Sequence, residues 1–311
     1  MKVKLFLAFT RSHLFHIKNV IRTCKYPYNI VLSRYEVDDE LKHLTCKVFY
    51  INAGLLNMRM CWKQVVKFIE QYESVDLYIA HSLNVFSQGL QHNLYKRGCL
   101  NSLNIFPDGS LLFNNYTVSC FDKLHITKKI KSFVISSDYR IFTGCIVSPF
   151  HPVDTVFSYL PEVTCQHKKL TLIEMSKCDR AVNKGLLILG HRNQKAIDCK
   201  KIINVLKRNT IFNEVYYKPH PRLSLKKDAF YQSLQTYYKV KLIIDDRPIE
   251  EMISSHPVNI IFSVASSSLV TLKMMLPQID VCYFGVEEYL GRHFNPMIKE
   301  QFMNLGITEW Q

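Results

Sequence analysis

The ten glycines of this 311-residue chain never fall into G-x-G-x-x-G or a G-x-x-x-x-G-K-[ST] phosphate loop. That argues against a dinucleotide oxidoreductase and a P-loop ATPase. No Asp-x-Asp triplet occurs, so the metal-bridged grip of many sugar-nucleotide transferases is missing and a metal-independent site is expected. The ten cysteines include no Cys-x-x-Cys pair, which excludes zinc-knuckle and redox motifs and predicts reduced, mostly buried thiols of a cytosolic protein. Long apolar runs are also absent. "VNIIFSVASSSLVTLKMML" is interrupted by polar residues and predicts no membrane span. The opening "MKVKLFLAFTRSHLF" loses its apolar patch at Arg11 and has no small-residue cleavage site, so it reads as a first strand rather than a signal peptide. There is no RNA-recognition aromatic motif, zinc finger, basic tail or internal repeat.

What is present is a globular composition, 48% hydrophobic, with a formal charge of +14. Residues 1–160 hold 19 Lys+Arg against 11 Asp+Glu and residues 161–311 hold 21 against 15, so the charge is spread over the chain. A spread charge without nucleic-acid motifs predicts no nucleic-acid partner and favours an anionic glycan or peripheral contact with an anionic inner membrane. The expected location is cytoplasmic, and the oligomeric state is left open.

Short apolar runs alternate with amphipathic ones. "VKLFLAF", "NIVLS", "KVFYI", "VDLYIA" and "SLNIF" read as strands, with helices near 12–23, 60–72 and 86–97. Around "VSPFHPVDTVFSYLPEV" three prolines interrupt the pattern, and the domain connection is expected there. The rhythm restarts with "GLLILG", a helix near 194–208 in which Ile202, Ile203 and Leu206 share a face, and the strands "EVYYK", "VKLIID", "NIIFSV" and "DVCYF". "PIEEMIS" reads as a helix. The fold class is therefore α/β, two Rossmann-like domains of residues 1–155 and 156–311 facing a cleft, with ligands outside the carboxyl ends of the strands.

Three features fall at such strand ends: Asp108 after "SLNIF", His220 after "EVYYK", and Ser266, Ser267 and Ser268 after "NIIFSV". His220 stands between two prolines with Lys218 before it and Arg222 after it, a set of positive groups suited to a phosphate. The serines open a helix, where they cap it or, with free N–H groups and the positive helix end, hold an anion without a metal. Asp108 lies in Pro-Asp-Gly, a common turn sequence, and a carboxylate there is also placed to act as a general base. Glu250 opens a helix and is able to accept from ribose hydroxyls.

Taken in order, "PDG", "YKPHPR", "RPIEEMI" and "SVASSSL" resemble the motifs of bacterial sialyltransferases, most closely the lipooligosaccharide enzymes of glycosyltransferase family 52, with kinship to families 80 and 38, the last of capsular polysialyltransferases. The resemblance spans about residues 108–268. It implies the two-domain GT-B architecture, CMP-sialic acid as donor, no metal or other cofactor, and inverting transfer to a galactose-terminated surface glycan of lipooligosaccharide, O-antigen or capsule. It further implies Asp108 as general base, His220 as acid or hydrogen-bond donor to the departing CMP phosphate, Lys218, Pro221 and Ser266 to Ser268 around that phosphate, and Glu250 on the CMP ribose. Pro107 stands where those families show a second acid, so Asp198 is kept as a second candidate base. The alternatives are a Kdo transferase or another transferase with a cytidine-nucleotide donor, and a non-catalytic basic module that binds glycan or nucleic acid.

Overall fold

The computed structural model describes the chain except for Tyr26, Ala53 and residues 82–83, 109–129, 131–132, 136–151, 178–184, 193–197 and 210–213. Its contacts divide it into two units that meet between Glu174 and Met175.

The first unit is built on seven parallel strands, β1 (Lys2–Ala8), β2 (Asn29–Ser33), β3 (Lys47–Tyr50), β4 (Ser74–Ile79), β5 (Leu100–Ile105), β6 (Thr155–Ser158) and β7 (Lys169–Leu172), in the order β3-β2-β1-β4-β5-β6-β7. After the exposed Lys2, every residue of β1 is buried, as a central strand covered on both faces requires. The intervening helices are α1 (Arg11–Cys24), α2 (Asp39–His43), α3 (Leu55–Ile69) and α4 (Val85–Lys96). Thr10 caps α1 by accepting from the His13 N–H at 3.2 Å. The strand order runs outward from β1 to β3 and then returns to β4 on the other side of β1. That reversal makes β1/β4 the switch point where a crevice opens at the carboxyl edge.

The second unit repeats the plan with six parallel strands, β8 (Gly185–Leu189), β9 (Glu214–Lys218), β10 (Val240–Leu242), β11 (Ile260–Ser263), β12 (Asp280–Tyr283) and β13 (Thr308–Glu309), in the order β10-β9-β8-β11-β12-β13. Its helices are α5 (Cys199–Asn209), α6 (Ala229–Tyr237), α7 (Ile249–Met252), α8 (Ser268–Met275), α9 (Val286–Leu290) and α10 (Met297–Asn304). Ile202, Ile203 and Leu206 pack as their spacing predicts, at most 3% exposed, against Leu186, Val215 and Phe230. Here the switch point lies between β8 and β11.

The architecture is thus the expected α/β pair of parallel-sheet domains of GT-B type. The first unit, however, runs to Glu174 rather than to residue 155. The segment read as a connection contains β6, and β7 follows it within the same unit. Pro152 and Pro161 flank β6 instead of interrupting it, and Asp154 ties that strand to β5 by accepting the Leu103 N–H at 2.9 Å. Among the described cysteines only Cys61 and Cys282 are buried, fewer than expected, and Cys46 is exposed. Among the described residues no helix is long and apolar enough to cross a membrane.

Candidate active site

In the first unit the residues after β1, β4 and β5 converge on one carboxylate. Asp108 Oδ2 lies 3.1 Å from His81 Nε2, and Asp108 Oδ1 lies 3.0 Å from His13 Nε2. His13 Nδ1 accepts the Phe9 N–H at 3.1 Å, so the uncharged ring carries its proton on Nε2, toward Asp108. That N–H meets the carboxylate obliquely, as an electrostatic contact rather than an aligned hydrogen bond. Burial alone would raise the Asp108 carboxyl, but the electrostatic pull of His13 and the contact with His81 outweigh it and hold the group well below the usual carboxylate range. Beside them, His16 Nδ1 lies 2.8 Å from the Tyr159 hydroxyl, which Asn19 also donates to at 3.2 Å. Tyr159 follows β6, so the segment read as a connection supplies part of this cluster.

In the second unit the residues after β9, β8 and β11 share the carboxyl edge. His220 opens a turn in which its carbonyl accepts the Leu223 N–H at 2.9 Å, with Pro221 in the position whose fixed φ suits such a turn. The His220 Nδ1 accepts the Arg222 N–H at 3.1 Å, which leaves the proton of the neutral ring on Nε2. Burial, then Arg222 and Arg192, lower its pKa, against a weaker pull from Asp228. The prolines and the Arg222 N–H therefore fix one tautomer of a neutral imidazole with a donating Nε2.

Between His220 and the serines lies the end of β8, with Gly190, His191 and Arg192. A Cβ on Gly190 would come 2.5 Å from the Tyr217 hydroxyl and 3.0 Å from the His220 nitrogen, so only glycine lets the β8 end pass this turn. The Tyr217 hydroxyl is itself committed, donating to Asp228 Oδ2 at 2.6 Å. Gly190→Ala is expected to displace the His220 turn and to lower stability by about 1–3 kcal/mol, the usual cost of overpacking, which denaturant titration checks.

The remaining expected residues divide in two. Glu250 is buried and accepts from the Thr271 hydroxyl of α8 at 2.6 Å, which couples the acidic helix start to the serine-opened helix. Ser266 Oγ accepts the Ser268 N–H at 3.3 Å, and Ser266, Ser267 and Ser268 are all half-buried. Ser267 and Ser268 make no side-chain cap on α8, which leaves their hydroxyls outside the capping role. Lys218, by contrast, turns into its own domain and donates to the Asp245 carbonyl at 2.7 Å, with burial lowering its pKa. Asp198 is exposed and accepts the Lys200 and Lys201 N–H groups at 3.0 and 3.2 Å, a helix cap that accounts for the residue structurally. Pro221 is exposed within the turn.

Sequence reasoning missed His13, His16, His81, Tyr159, His191 and Thr271. Two of these had a visible signal: His81 follows "VDLYIA" and His191 follows "LLILG", the same strand-end position that singled out His220. His191 is buried against the rings of Phe230 and Tyr289, and burial, with His220 nearby, lowers its pKa to about 4. Burial lowers that of His16 to about 3, His13 adding to the shift and Asp108 opposing it. Both rings are neutral when folded but take a proton below pH ~6.5 when unfolded. Stability is therefore full above that pH and is lost at about 1.4 kcal/mol per pH unit per histidine as pH falls toward their folded values. Thermal melts from pH 7 to 4 should show this slope, shallower in His191→Asn.

Comparison with known proteins follows the same lines. Residues 187–284 match the sequence profile of the alpha-2,8-polysialyltransferase family (POLYST). No curated protein matches this chain in sequence. Among solved structures, the alpha/beta-galactoside alpha-2,3-sialyltransferase of Photobacterium phosphoreum superposes with a TM-score of 0.59 at 11% identity, over 99% of this chain and 98% of that one. Weaker likenesses include Alr3699/HepE of Anabaena, with a TM-score of 0.47 at 8% identity over 92% of this chain and 82% of that one. MurG of Acinetobacter baumannii gives 0.44 at 12% identity over 99% and 85%. At these identities the likeness is one of fold, and nothing in it singles out family 52. The chain is sialyltransferase-like in both respects: a GT-B fold shared with a bacterial sialyltransferase, and a second domain bearing the polysialyltransferase pattern across residues 187–284.

Proposed function

We propose that this protein transfers sialic acid from CMP-sialic acid to a galactose-terminated surface glycan, with inversion and without a metal. The observation that carries this reading is that His220, Glu250 and Ser266 to Ser268 all fall inside the stretch that matches the polysialyltransferase profile. The second domain then binds the CMP-sugar and the first the acceptor. The anomeric carbon of sialic acid is tertiary and bears a carboxylate, so bond breaking runs ahead of bond making. Catalysis therefore depends on stabilising the departing phosphate and removing the acceptor proton. The Nε2–H of His220, the α8 N-terminus and its serines act on the phosphate, Glu250 on the ribose, and Asp108 on the acceptor hydroxyl.

The test is CMP release from CMP-sialic acid with a panel of galactose-terminated acceptors, EDTA present, for wild type and His220→Ala. Turnover that survives EDTA and collapses in the variant supports the reading. Release from CMP-Kdo alone overturns the donor, and silence with both donors overturns the enzyme.

A further inference from the structure

The outer face of α3 carries a pattern that neither the fold nor the proposed reaction uses. At 100° per residue, Leu56, Arg59, Met60, Lys63 and Lys67 fall within one narrow arc, while Cys61, Trp62, Val65 and Ile69 form the buried stripe opposite. The inner face is satisfied by packing, with Trp62 edge-on to Phe86 of α4 at 5.3 Å and Phe68 edge-on to Phe49 of β3 at 5.3 Å. The outer face keeps Leu56 73% and Met60 58% exposed. All three basic residues there are exposed, the helix contains no acidic residue, and none of the three is ion-paired among the described residues. Elsewhere on this unit basic side chains find carboxylates, as in Lys18–Asp38, Lys42–Asp39, Arg97–Glu70 and Lys168–Asp154.

We infer that the outer face of α3 docks on an anionic lipid surface. Two apolar side chains flanked by three unpaired cations match a bilayer interface, hydrocarbon for Leu56 and Met60 and anionic headgroups for Arg59, Lys63 and Lys67. A second copy of the chain would bring like charges together, and a nucleic acid would find no aromatic ring on this face on which to stack a base. The helix starts at the carboxyl edge of the first sheet, the edge that also carries His81 and Asp108. The β3 strand that leads into it lies two strand spacings, about 10 Å, from β1. Docking there holds this edge near the membrane, where a lipid-linked acceptor is presented. The surface stands whether or not the transferred sugar is sialic acid.

The experiment is co-sedimentation of the full chain with phosphatidylcholine vesicles, with or without added phosphatidylglycerol, at low and high salt. Wild type is expected to bind only the anionic vesicles and to be released by salt. Lys63→Glu/Lys67→Glu should weaken binding at least about 30-fold, since each basic residue near such a surface is worth about fivefold. Leu56→Asp/Met60→Asp should weaken it about tenfold or more. Both pairs are on the surface, so melting temperature and activity on a soluble acceptor should stay at wild-type values. Wild-type failure to bind anionic vesicles, or undiminished binding by both folded variants, overturns the inference.

Discussion

His220→Ala is expected to lower kcat with CMP-sialic acid by about 10²- to 10³-fold, and His220→Gln to recover at least about tenfold of that loss. The reason lies in the tautomer. Arg222 N–H donates to Nδ1, so a second proton on the ring would set N–H against N–H, and burial with two nearby guanidinium groups disfavours the cation further. The ring is therefore neutral near pH 7 and offers a fixed Nε2–H, which a glutamine amide reproduces and an alanine does not. On this account kcat does not fall between pH 6.5 and 8. A glutamine variant as slow as alanine, with wild-type kcat falling across that interval, would instead make His220 a true proton donor.

The second large effect belongs to Asp108. Asp108→Asn should cost about 10²- to 10⁴-fold in kcat/KM, because the amide keeps the shape but loses the charge that accepts the acceptor proton. The His13 and His81 contacts keep the carboxyl ionised through the neutral range, at the expense of its basicity. His81→Leu removes one of those contacts, so the Asp108 carboxyl should rise. The acid limb of kcat/KM then moves to higher pH, with a smaller loss at the optimum. An acid limb that stays in place in His81→Leu would mean that Asp108 is not the group that titrates, and full activity of Asp108→Asn would reduce the cluster to a structural role. Asp198→Ala, which removes only a helix cap, is the control with near-normal turnover.

The parallel strands were legible because they are apolar on both faces, so "VKLFLA", "LLIL" and "IIFS" stand out whatever their register. The short strands β6 and β7 were not, because β6 is four residues set close to prolines and β7 is four residues that stay partly or fully exposed, and it is the pairing of β6 with β5 and of β7 with β6 that makes them strands. At the site, His220 and the serines were visible because turn-forming prolines and a serine run are local features. The partners of Asp108 were not. Its histidines come from positions 13 and 81, brought beside position 108 by the β1/β4 switch point, and no spacing along the chain encodes that meeting. Lys218 shows the opposite failure, since a basic residue at a strand end looks like a phosphate ligand until its amine is seen bound to a carbonyl inside the domain.

The late arrival of β6 and β7 also governs how the first domain is made. Until residues 155–172 have left the ribosome, β5 is an open edge with unpaired N–H and C=O groups, and Tyr159 has not reached His16. A nascent chain of about 150 residues therefore exposes a sticky sheet margin beside an unfinished histidine cluster, and chaperone demand during synthesis concentrates in that window.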